Sequence, residues 1–193
     1  MRADAAPLPC VLIDTREQCP LRFSPAVTVE IVTLPVGDYS LRGASEVVAI
    51  VRQRLGELAA CCGIDRPRFI EQVERLRAYP VRALVVECDM SSITSGAYRS
   101  AIRPLSVLGT LVKIATDWQI PVWLAGDAAD AALVVERTLL RVHRQHVVAR
   151  HAACTDERAG AAYHPSGCGA ISSPAIRARS SGSAPPSRPP AAA

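Results

Sequence analysis

Residues 37–58 read GDYSLRGASEVVAIVRQRLGEL. A Gly-Asp turn sets one acid, Asp38, ahead of a short extended piece, and a second turn at RGAS follows. EVVAIVR is then a continuous, mostly β-branched run, the pattern of a central strand buried on both faces. The strand leaves through Val51, Arg52 and Gln53 into a helix begun by RLGEL. A Gly-Asp turn beside such a strand suits a sheet edge that collects charged groups. The strand nevertheless brings a valine to a position where a second carboxylate would serve metal chemistry.

The flanking sequence extends this into an alternating pattern. CVLID at 10–14 predicts a buried strand ending on Asp14, and VTVEIVTL at 27–34 alternates Val27, Val29 and Ile31 on one strand face. RPRFIEQVERLRAY at 66–79 predicts a helix with Pro67 in its first turn and Phe69, Ile70, Val73 and Leu76 as its apolar face. RALVVEC reads as another buried strand, and DMSSITSGAYRSAI as loop with a short helix. In PLSVLGTLVKIATDWQ the apolar stripe reads as Leu105, Leu108, Leu111, Val112 and Ala115. A last strand, PVWLAG, precedes a long helix capped by Asp127 and running to about Arg150. The whole predicts an α/β sandwich around a mixed sheet.

The chain has 193 residues, 49% of them hydrophobic and only 4% aromatic, enough for one domain with an aliphatic core. Composition divides it into an N-terminal arm at 1–8, a folded domain at 9–150 and a segment at 151–193. The last is rich in Ala, Ser, Pro and Arg and predicts a disordered tail. No apolar run suits a bilayer and no secretory h-region opens the chain, so a cytoplasmic protein without membrane contact is expected. The formal charge of +4 favours an anionic partner. Lys113 is the only lysine, so any lysine-dependent chemistry has one candidate. Seven cysteines without a C-x-x-C pair read as free thiols rather than a zinc site.

Asp14, Glu17 and Asp38 stand at strand ends or turns. Taken alone they read as ordinary turn and cap residues. Converging at one sheet edge, such carboxylates would suit Mg²⁺, which prefers hard oxygen ligands.

The order of the pieces adds a resemblance. VLIDTRE at 11–17, LPVGDYSL at 34–41, VVAIVRQRLGEL at 47–58 and RPRFIEQVERLRAY at 66–79 together resemble the nuclease domain of the XPF family of structure-specific DNA endonucleases, which includes small stand-alone bacterial and phage members. The resemblance covers about residues 9–148 and implies a restriction-endonuclease-like α/β/α sandwich around a central mixed sheet. It implies a Mg²⁺ or Mn²⁺ cofactor and hydrolysis of branched or junction-containing DNA. It further implies site roles for Asp14, Arg16, Glu17, Asp38, Arg52 and Gln53, with Asp14, Glu17 and Asp38 as metal ligands.

Val51, Arg52 and Gln53 occupy the family's Glu-Arg-Lys box, and Glu57 stands for the acid four residues on. The box is degenerate: a valine cannot ligate a cation, and glutamine lacks lysine's charge. The implied activity is therefore weak or lost, and the alternative is a non-catalytic DNA-binding or dimer-partner subunit. A helix-borne acid, Glu71 or Glu74, is the candidate replacement for the missing carboxylate. Nothing matches the tandem helix-hairpin-helix module of many relatives, so DNA binding would rest on the nuclease domain, as a homodimer or heterodimer. The apolar faces of the last two helices are the candidate interface. Arg137, Arg141, Arg144 and Arg150, with His143, His146 and His151, make the last helix basic, suited either to DNA phosphates or to solvation.

Overall fold

The computed structural model describes residues 8–161, with side chains to His146. Residues 1–7 of the arm and 162–193 of the compositional tail lie outside the described residues, as do the side chains of Arg150 and His151.

Six strands form one mixed sheet. They are β1 (Cys10–Asp14), β2 (Thr28–Val32), β3 (Tyr39–Leu41), β4 (Val48–Arg54), β5 (Val81–Glu87) and β6 (Val122–Leu124). The spatial order is β2-β1-β3-β4-β5-β6. β3 pairs antiparallel with both neighbours; the β1–β2, β4–β5 and β5–β6 pairs are parallel. Parallel pairs need crossovers, and helices supply them on the β4–β5–β6 side. These are α1 (Leu55–Cys62), α2 (Arg66–Leu76), α3 (Met90–Ser95) and α4 (Pro104–Thr116), followed by α5 (Ala128–Ala161). The composition change at His151 falls inside α5.

The period of two along a strand sorts its residues onto two cores. Val48 and Ile50 of β4, with Ala83 and Val85 of β5, pack in one apolar cluster with Ala131, Val135, Leu139 and Val142 of α5. Ala49 and Val51, with Leu84 and Val86, share the other with Leu58, Phe69, Val73, Leu76, Val107, Leu111 and Ile114 from α1, α2 and α4. The molecule is thus an α/β/α sandwich.

Two expectations change. On α4 the buried face is Val107, Thr110, Leu111 and Ile114, while Leu105 and Val112 are exposed. The true face lies about 100° around the helix from the expected stripe. Thr110 caused the misphasing: it is polar but buried, donating its hydroxyl to the Ser106 carbonyl at 2.9 Å and accepting from Arg66 at 3.2 Å. In β2 the alternation does mark a strand, but Val29 and Ile31 are 49% and 64% exposed. β2 is an edge strand, and no helix among the described residues covers that face.

Among the described residues no helix is long and apolar enough to cross a membrane. Cys10, Cys19, Cys61, Cys62 and Cys88 are free thiols.

Candidate active site

The site begins with the turn before β3. Gly37 has φ +80°, and a Cβ there would lie 2.9 Å from the Ile50 carbonyl oxygen. Only glycine allows the turn to approach β4 this closely. Asp38 is thereby stitched between two strands. Its N–H donates to the Ile50 carbonyl at 2.8 Å, and its own carbonyl accepts from Asp14 N–H at 2.9 Å. Its side-chain Oδ2 accepts from Arg52 N–H at 2.7 Å. Burial raises the Asp38 carboxyl to about pKa 6; the Arg52 N–H pulls it down, and the charges of Glu17 and Asp14 push it further up.

Asp14, at the end of β1, is fully engaged. Its Oδ1 accepts from the Arg16 backbone N–H at 2.8 Å and from Arg16 Nε at 2.6 Å. Its Oδ2 accepts from Arg16 Nη2 at 2.9 Å and from Leu34 N–H at 2.7 Å. Burial pushes this carboxyl up, but the Arg16 and Leu34 bonds outweigh it and hold it below the usual carboxylate range. Arg16 also donates to the Leu34 carbonyl at 2.8 Å, pinning the β1 exit to the segment after β2.

Arg52 lies on the opposite strand face from Val51 and Gln53. Its guanidinium, 5% exposed, bridges Glu17 at 3.1 Å and Glu87 at 2.5 Å and donates to the Cys19 carbonyl at 2.9 Å. Glu17 also accepts from Cys19 N–H at 2.9 Å and from the Tyr39 hydroxyl at 3.4 Å. Arg52 therefore cross-braces the loop after β1 to the end of β5. Sequence reasoning missed Glu87, the last residue of β5; in the structure it shares the parity of Ala83 and Val85, which pack on the α5 side, and the β4–β5 pairing sets it beside Arg52 and Arg54.

Val51 is 1% exposed within the α1–α2–α4 core. Gln53, two residues on, reaches solvent and accepts a weak bond from the Cys61 thiol at 3.7 Å. Glu57 caps α1, its carboxylate accepting from Arg54 N–H at 2.9 Å. An open cavity of about 690 Å³ joins these parts, lined by Arg16, Glu17, Asp38, Gln53 and Glu57 and, from α2, by Arg68, Glu71 and Arg75. Glu71 lines this cavity, whereas Glu74 does not. Arg75 is tied to the Pro35 carbonyl at 2.5 Å across the cavity mouth.

Asp14, Glu17 and Asp38 thus gather at one sheet edge, close enough for their charges to act on one another. A divalent cation asks for several free oxygens. Asp14 has both oxygens occupied, Asp38 has one occupied, and Val51 supplies none. Among the described residues no three acidic, histidine or cysteine side chains converge into a metal-holding group. As arranged, the donors do not fit the cation that the resemblance implies.

Residues 13–138 match the family model described as the ERCC4 domain. XPF from Aeropyrum pernix in complex with DNA is similar in structure, at 25% identity and TM-score 0.56, over 71% of this chain and 66% of that one. A second structure of XPF from Aeropyrum pernix matches at 25% identity and TM-score 0.55, over 69% of this chain and 61% of that one. The chain therefore spans just under two thirds of these archaeal proteins. The shared architecture is that of the XPF nuclease domain, a restriction-endonuclease-like fold. No curated protein matches by sequence comparison.

Proposed function

This chain belongs to the ERCC4-domain family, and from that premise we propose that it binds branched or junction-containing DNA and cuts it weakly or not at all. The observation that carries the second half is Val51, a sealed apolar side chain where the family's box supplies a carboxylate. ERCC4 nucleases are generally dependent on divalent metal. The Mg²⁺ or Mn²⁺ ligands expected by position are Asp14, Glu17 and Asp38, and their present hydrogen bonding leaves too few free oxygens for tight binding.

DNA binding draws support from the archaeal XPF captured with DNA and from the arginines around the cavity. Arg16 keeps its guanidinium 67% exposed at the mouth while anchored by Asp14, a posture suited to a phosphate. Arg52, buried between two glutamates, braces the site instead of meeting substrate. Arg52 and Gln53 of the box both line the cavity, and with the Arg52 guanidinium held by two carboxylates it is the Gln53 amide that can hold a water there. Such a protein would serve as the non-catalytic DNA-binding or dimer-partner subunit of a repair nuclease.

A second reading has one observation in its favour. Glu71 projects into the cavity from α2 and makes no ion pair among the described residues, so a helix-borne carboxylate is available there. In that reading the chain retains cleavage through Asp38, Glu17 and Glu71.

Fluorescence anisotropy with labelled fork, flap and linear duplex DNA tests the binding claim. Tighter binding of forks or flaps than of linear duplex is expected. Equal, weak binding of all three would remove junction recognition from the account.

A further inference from the structure

We infer that the solvent face of α5 is a second phosphate-binding surface, in which Arg137, Arg141 and Arg144 grip one strand of a duplex DNA arm. The inference rests on the DNA-binding reading above.

At 100° per residue these three positions fall within about 60° of helix circumference. Val135, Leu139 and Val142 of the same helix are buried against the sheet, which turns the arginine stripe outward. All three arginines are exposed, and none makes a hydrogen bond or ion pair among the described residues. Arg16, Arg42, Arg52 and Arg54 are each matched to a carboxylate, whereas the α5 stripe, like Arg68 and Arg77 of α2, is in no ion pair among the described residues. No described acid on α5 serves the stripe. Glu136 is buried and taken by Ser24, and Asp130 stands in the first turn.

A merely solvated helix face usually mixes signs, because like charges at i,i+4 destabilise a helix. Here the repulsion is left uncompensated, which concentrates positive potential along one line. Arg137 to Arg144 spans about 10 Å of helix rise, the length over which one DNA strand presents about three phosphates at about 3.4 Å each measured along the duplex axis. Guanidinium forks suit phosphate oxygens. A second copy of this chain is a poor occupant, since a two-fold contact through the stripe would set its arginines against themselves. α5 and the α2 wall of the cavity lie on opposite faces of the sheet, so the two surfaces suit two arms of one branched molecule.

The test is the salt dependence of fork-DNA affinity for the full chain. Replacing all three arginines by glutamine should weaken binding on the order of ten-fold at low salt. It should also make the slope of log K against log salt shallower by about 2 to 3. The triple lysine variant should restore both. A cavity-side control, Arg68→Gln, should weaken binding without involving α5. An unchanged slope in the triple glutamine variant, with the control weakened, overturns the α5 surface and leaves the DNA-binding reading standing. Loss that lysine fails to restore also overturns it, because charge would then not be the cause. No fork binding by the unaltered chain overturns both.

Discussion

Asp38→Asn should stabilise the protein above pH 6 and change little below pH 4. Asparagine keeps a carbonyl oxygen for the Arg52 N–H, so the substitution removes the charge while leaving the turn's bonding in place. The native carboxyl titrates near pH 6, against 3.8 for the unperturbed group, because burial outweighs the Arg52 bond and the neighbouring acids add to it. An acid whose folded pKa is raised gives stability that is fully present below its unfolded pKa. That share is lost as pH climbs from about 4 through about 6. Two units correspond to about 3 kcal/mol, which we reduce to about 2 because the carboxyl is only partly buried and meets solvent in the cavity. Urea denaturation of both proteins at intervals between pH 4 and 8 gives the difference directly. The asparagine variant should gain about 2 kcal/mol relative to wild type across that range, nearly all of it by pH 6.5. A difference that stays constant with pH would refute the buried, charge-crowded account of Asp38.

Two further substitutions test the scaffold. Arg52→Ala strands Glu17 and Glu87, whose side chains are 11% and 10% exposed, and should cost about 3–5 kcal/mol in a urea melt. Loss of under 1 kcal/mol would show that water replaces the brace. Gly37→Ala forces a side chain into a positive-φ turn and against the Ile50 carbonyl, so destabilisation of about 2–4 kcal/mol is expected in the same assay. A near-neutral result would mean that the turn relaxes away from β4.

Much of this architecture is legible in local pattern. The apolar run CVLID and its terminal acid, the Gly-Asp turn and the β-branched run before Val51 each declare themselves within a few residues. Period two even separates Arg52 from Val51 and Gln53. What Arg52 meets on its own face is not local: Glu87 reaches it only through the parallel register of β4 and β5. The phase of α4 is hidden for a different reason. Thr110 contributes to the buried face while satisfying its hydroxyl inside the helix, so counting apolar residues selects the wrong side. The openness of β2 follows from its place at the sheet's edge, a property of strand order that no single segment carries. At the site, the positions of Asp14 and Asp38 are readable, but not that Arg16 and Leu34 consume the oxygens of Asp14.

The central claim is that the site is disabled by its box, above all at Val51. It is tested most directly by incubating fork and flap DNA in Mg²⁺ or Mn²⁺ with the unaltered chain and with the double variant Val51→Glu, Gln53→Lys. An Asp38→Ala form of the double variant serves as the control. Strong cutting by the double variant, little by the unaltered chain and none by the control are the predicted results. Equally robust cutting by the unaltered chain and the double variant would contradict the claim and turn attention to Glu71.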